Sequence, residues 1–187
     1  MKKIVLLLML FVAFQVSAQN FHFIPKVGLN LANMTNVDGS VRPGLNIGIA
    51  AEMPITDVWS VEPGIYYSMQ GTKISHSGID YKAKLDYLNI PIYAKAYLYQ
   101  GLYAFAGPQF GFNVRDKRTA SREETTQNID LKNAKTFDFA IGLGLGYQFA
   151  QGFLVSINYN IGLTKAWEFN DNNSHNGVWQ FMVGYRF

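Results

Sequence analysis

The sequence contains no cysteine, only three histidines, and no apolar run longer than eleven residues. Without cysteine there is no disulfide framework and no lipid-attachment thiol. A membrane helix needs about 20 apolar residues, so none is encoded. His22, His76 and His175 stand far apart with no close ligand spacing, so they make no strong case for a metal site, and no cofactor is expected. Charge of one sign is also missing. Arg115, Lys117, Arg118 and Arg122 are interrupted by Asp116 and followed by Glu123 and Glu124, which is a mixed loop and not a nucleic-acid patch. The glycines of "AIGLGLGYQFAQGFLVSINYNIGL" (Ala140–Leu163) fall as G-x-G-x-G. A dinucleotide loop needs G-x-G-x-x-G with a helix behind it.

What is present begins with an export signal. Met1-Lys2-Lys3 is a positive lead, Ile4–Phe14 an apolar stretch, and Val16-Ser17-Ala18 a small-residue cleavage site. Residues 1–18 are therefore expected to be a cleaved signal peptide and 19–187 one domain. Cleavage removes Lys2 and Lys3, so the basic residues fall from 16 to 14 against 13 acidic ones. The exported chain is nearly neutral and nucleic acid is an unsuitable partner.

Beyond Gln19 the chain repeats one pattern, apolar residues at alternate positions for about ten residues. Eight such segments lie near Phe23–Ala32, Gly44–Met53, Val58–Met69, Tyr87–Leu98, Leu102–Asn113, Phe137–Phe149, Phe153–Leu163 and Val178–Phe187. Three connections are short: Pro54–Asp57, Tyr99–Gly101 and Ala150–Gly152. Four are long and polar: Asn33–Pro43, Gln70–Asp86, Val114–Thr136 and Thr164–Gly177. This predicts an all-β fold, an eight-stranded antiparallel up-and-down transmembrane β-barrel with short periplasmic turns and long extracellular loops. Orientation follows from volume. An eight-stranded interior is just filled by side chains, and the bulky parity would overfill it. Glycine and small polar residues therefore line the inside, with Gly142, Gly144 and Gly146 as wall positions. The apolar face meets lipid, where closure pairs every backbone group.

The last segment places Trp179, Phe181, Val183, Tyr185 and Phe187 on one parity and ends on an aromatic. This is similar to the signal read by barrel-assembly machinery. Parity puts Lys26, Glu52, Glu62, Lys95, Arg115, Asp138 and Arg186 on the inner face. Strand direction groups Lys26, Glu52, Glu62, Lys95 and Arg186 near the periplasmic end and sets Arg115 opposite Asp138 near the top. Unpaired ions in a narrow lumen are costly. The alternating signs are read as a structural salt-bridge network, with a selective pore or proton path as the sharper alternative.

"KVGLNLANM" (Lys26–Met34), "VEPGIYYSMQGTK" (Val61–Lys73), "DYLNIPIYAKAY" (Asp86–Tyr97), "AGPQFGF" (Ala106–Phe112) and "MVGYRF" (Met182–Phe187) resemble the PorT-like outer-membrane β-barrel family of Bacteroidetes-type bacteria. The resemblance implies a small barrel in the outer membrane of a Gram-negative cell. It also implies contact with outer-membrane lipid and lipopolysaccharide, and a role in envelope integrity or secretion through loops or an envelope protein partner. The founding member is linked to protein secretion. A narrow solute pore and a lipid A-modifying enzyme are the alternatives. For the enzyme, Ser75-His76-Ser77 with Asp80 or Asp86, or Ser174-His175, supply nucleophile, base and acid without a spacing that fixes their geometry. No catalytic residue is assigned.

Overall fold

The computed structural model describes residues 21–34, 40–76, 79–122, 125–129, 137–164 and 176–187. For 33–34, 40, 72–76, 79–84, 116–122, 125–129 and 176 it describes the backbone alone. The strands are β1 (His22–Met34), β2 (Ser40–Pro54), β3 (Trp59–His76), β4 (Ile79–Tyr99), β5 (Leu102–Arg122), β6 (Thr125–Ile129), β7 (Phe137–Gln148), β8 (Phe153–Gly162) and β9 (Asn176–Tyr185). Eight of these nine strands form a closed antiparallel ring, β1-β2-β3-β4-β5-β7-β8-β9. The ring closes through Lys26↔Gly184 to Met34↔Asn176 between β1 and β9. The small β6 stands outside it and, among the described residues, pairs with the far end of β5 through Arg118↔Ile129 to Arg122↔Thr125.

The short turns are built by local chemistry. Gln100 (φ 40°) and Gly101 (φ 90°) form a two-residue turn with both angles positive, the hairpin geometry whose twist suits flanking strands. Thr56 Oγ1 accepts hydrogen bonds from the Val58 and Trp59 amides at 3.3 and 2.9 Å and closes the β2–β3 turn. The opposite end differs from the sequence expectation in extent. The stretch Gln70–Asp86, read as a connection, is mostly ladder, continuous from Met69↔Asp86 to His76↔Ile79. β5 likewise continues past Val114 to Arg122. These polar segments still alternate, and antiparallel pairing in water needs no apolar face on either side.

Burial is inverted relative to a soluble protein. Leu143 is 65% exposed and Leu29 57%, whereas Glu52 is 0% and Lys95 1%. Large apolar residues on the outside and charges within suit a barrel whose outer solvent is hydrocarbon. Inside, the β7 stripe Gly142-Gly144-Gly146 is buried and faces a column of rings. A Cβ on Gly146 would overlap the Tyr103 ring. One on Gly144 would overlap Phe105, and one on Gly142 would meet Tyr93. Tyr93 and Phe105 stack at 5.1 Å, and Tyr103 and Phe105 at 5.9 Å. The glycines are wall, and their bare surface is what lets aromatic rings fill the lumen.

Candidate functional site

Five charged side chains from five strands or strand ends meet inside the short-turn end. Alternation turns each inward, and strand direction sets it at one level. Lys95 of β4 is central: its Nζ lies 2.9 Å from Glu52 Oε2 (β2) and 3.4 Å from Glu62 Oε2 (β3). Glu62 Oε1 accepts from Lys26 Nζ of β1. Arg186, just past β9, sets its Nε 3.7 Å from Glu52 Oε2. Tyr97 donates its hydroxyl to Glu52 Oε1 at 2.6 Å, and the Tyr103 ring lies 4.0 Å beneath the Lys95 ammonium. Both carboxylates thus have their oxygens engaged, and the central cation is held by two anions and an aromatic face.

Tyr97 and Tyr103 were not singled out as partners by the sequence. The available signal was their parity, shared with Lys95 across paired strands. Directly above them the lumen is lined by neutral polar side chains. Tyr93 hydroxyl is 3.2 Å from Asn160 Oδ1, Asn158 donates to Gln180 Oε1 at 3.0 Å, and Asn30 donates to Ser68 Oγ at 2.8 Å. A cavity of about 20 Å³ lies among Asn46, Asn89, Gln109 and Asn158, room for roughly one water.

Arg115 and Asp138 are not brought together. Asp138 sits opposite Gly111 on β5 and accepts a hydrogen bond from the Thr164 hydroxyl. Arg115 sits opposite Asp86 of β4, and its half-exposed guanidinium lies 3.6 Å from Asp86 Oδ2. The cause is a bulge. The β4–β5 register slips between Tyr87↔Asn113 and Asp86↔Arg115, leaving Val114 as the extra residue. One extra residue reverses the faces beyond it, so Arg115 turns outward beside Asp86, whose Oδ2 also accepts a hydrogen bond from the outward Tyr67 hydroxyl at 2.6 Å. Strict alternation had placed Arg115 in the lumen.

The ladder fixes the register of some of the catalytic candidates. Ser75 pairs with Asp80 and His76 with Ile79 at the tip of the β3–β4 hairpin. Asp86 is six ladder positions below Asp80, roughly 20 Å at about 3.3 Å per residue. Ser77, Ser174 and His175 lie outside the described residues. His22 Nδ1 is 3.1 Å from the Phe187 carbonyl oxygen. Among the described residues no group of three His, Cys, Asp or Glu side chains could hold a metal ion.

The ring matches solved outer-membrane barrels in fold. Ail, the attachment invasion locus protein of Yersinia pestis, superposes with a TM-score of 0.53 at 16% identity, over 90% of this chain and 100% of that one. Neisserial surface protein A gives 0.55 at 14% identity, over 89% and 97%. OprG of Pseudomonas aeruginosa gives 0.50 at 14%, over 89% and 95%. No curated protein matches the chain in sequence. The family model described as the outer membrane protein beta-barrel domain matches residues 17–168. With a closed eight-stranded ring, an apolar outer wall and that match over most of its length, the chain belongs to the outer membrane protein beta-barrel domain family.

Proposed function

We propose that this chain is a non-enzymatic, PorT-like outer-membrane barrel whose lumen is closed by its own side chains. In this reading residues 1–18 are cleaved on export. Assembly machinery reads the terminal strand through Phe181, Val183, Tyr185 and Phe187, and function is exerted through the outer hairpins or an envelope protein partner, in envelope integrity or secretion. The observation that carries it is the Lys95–Glu52–Glu62 cluster, with Tyr97, Tyr103 and Phe105 packed across the same narrow section. An eight-stranded interior has little more room than such side chains need. The cluster's role in this proposal is structural: it neutralises buried charge and ties β1, β2, β3, β4 and the end of β9 together.

Planar-bilayer conductance tests it. The full chain, verified as folded by its altered electrophoretic mobility without boiling, should give no current above the lipid baseline. Discrete conductance steps from the folded form would overturn the closed lumen in favour of a narrow pore. A lipid A mass change on overexpression would overturn the non-enzymatic assignment.

A further inference from the structure

The charge cluster at the short-turn end is a row of alternating signs. Arg186, Glu52, Lys95, Glu62 and Lys26 follow one another in space, each carboxylate lying between two cations. Both ends of the row are therefore cations, and three cations face two carboxylates. The ends differ in their surroundings. Arg186 has 25% of its side chain exposed at the mouth, where water screens it. Lys26 is buried, with 7% exposed. The surplus positive charge has no screening at that inner end.

Beyond Lys26 the row stops at a space. The cavity of about 20 Å³ is bordered by Lys26, Asn46, Asn89, Gln109 and Asn158. Among the described residues that border it, Lys26 alone is charged, and none is a carboxylate. Two of its carboxamides, each 2% exposed, keep a buried atom without a hydrogen-bond partner. One is a donor, Asn89 Nδ2, and the other an acceptor, Asn46 Oδ1. A water would satisfy both and leave the row unbalanced. An anion would take the Asn89 donor and the next place in the alternation. A half-turn of the Asn46 carboxamide then points its nitrogen inward. An uncompensated buried ion costs more than one unpaired or reoriented carboxamide, so charge decides. A cation would find no carboxylate and would stand beside Lys26. Space for roughly one water also admits a single halide ion, and is too small for sulfate or phosphate.

We infer that this cavity is a binding site for one monatomic anion of chloride size, which completes the alternating row inside the barrel. The site rests on the structural reading of the cluster, and it needs no channel and no catalytic group.

The test uses the full folded chain in zwitterionic detergent, unfolded with urea at constant pH and ionic strength while sodium chloride replaces sodium gluconate. From about 10 mM to about 1 M chloride, the wild-type folding equilibrium constant should rise roughly tenfold or more, as one ion bound to the folded state requires. In crystals, bromide should replace chloride and give an anomalous diffraction peak in the cavity, beside Lys26 and Asn89. Two variants remove the need for the ion by opposite routes. Asn89→Asp builds a negative charge into the cavity wall, and Lys26→Met shortens the row to two cations and two carboxylates. Each should lose the chloride dependence, and either one is informative if the other does not fold. A wild type indifferent to chloride, or a cavity without a bromide peak, would overturn the site in favour of water. A chloride dependence that survives in either folded variant would overturn it too, by placing the ion elsewhere. Each failure would leave heat-modifiable mobility and absent conductance unaltered, so the closed lumen is judged separately.

Discussion

Glu52→Gln is expected to destabilise the folded barrel by about 3–5 kcal/mol, the cost of leaving buried charge uncompensated. The reason is the charge count. The cluster holds three cations, Lys26, Lys95 and Arg186, against two carboxylates, Glu52 and Glu62. Removing Glu52 leaves three cations around one acid, in a section where Glu52 and Lys95 are 0% and 1% exposed. Lys95→Met should cost less, although Lys95 makes more contacts. It leaves two cations with two acids: Glu62 keeps Lys26, and Glu52 keeps Tyr97 and Arg186. The double variant Glu52→Gln/Lys95→Met restores the native charge difference and should be more stable than Glu52→Gln alone, by at least about 1 kcal/mol of coupling. Denaturant unfolding in detergent, followed by tryptophan fluorescence, gives all three values. A larger loss for Lys95→Met than for Glu52→Gln, or strict additivity in the double variant, would show that charge balance does not govern this end of the barrel.

The ring was legible in the sequence because one physical rule determines it: a strand with lipid on one side and a filled lumen on the other must alternate. That rule is local and survives in a single sequence. Depth is legible too, since direction reverses at each turn, and this is why Lys26, Glu52, Glu62, Lys95 and Arg186 could be assigned to one level. Their role does not follow from position. Alternation fails wherever the ladder slips. The bulge at Val114 leaves no mark in the sequence, because a valine beside an asparagine is ordinary in a strand, yet it turns Arg115 from the lumen to the outer wall. The extent of the hairpins was hidden for another reason. "GTKISH" and "IDYKAK" look like loops by polarity, and polarity reports solvent, not pairing. The aromatic filling of the lumen was visible only as parity at Tyr93, Tyr97 and Tyr103, until the glycine stripe opposite them supplied the room.

That stripe sets the second large effect. Gly144→Ala is expected to abolish the heat-modifiable folded form, and Gly146→Ala to weaken it. Replacing glycine by alanine ordinarily favours a strand by about 0.5–1 kcal/mol through chain entropy. Overpacking a filled interior costs about 1–3 kcal/mol and occasionally more, so the clash wins at both positions. They differ in what yields. At Gly146 the three nearest atoms to a new Cβ all belong to the Tyr103 ring. That ring is wedged between Tyr97 and Phe105 and cannot swing aside. Shortening it frees the space, so Gly146→Ala/Tyr103→Leu should fold better than Gly146→Ala alone. At Gly144 the new Cβ meets Phe105, but also the Ile157 carbonyl oxygen and Asn158 Cβ, both at 2.6 Å on the paired strand β8. Backbone cannot be trimmed, so Phe105→Leu should fail to rescue Gly144→Ala. Electrophoresis with and without boiling reads each variant directly. Equal rescue at both sites would mean that the rings alone limit the lumen. Rescue at neither would mean that strand spacing, and not ring packing, demands glycine along β7.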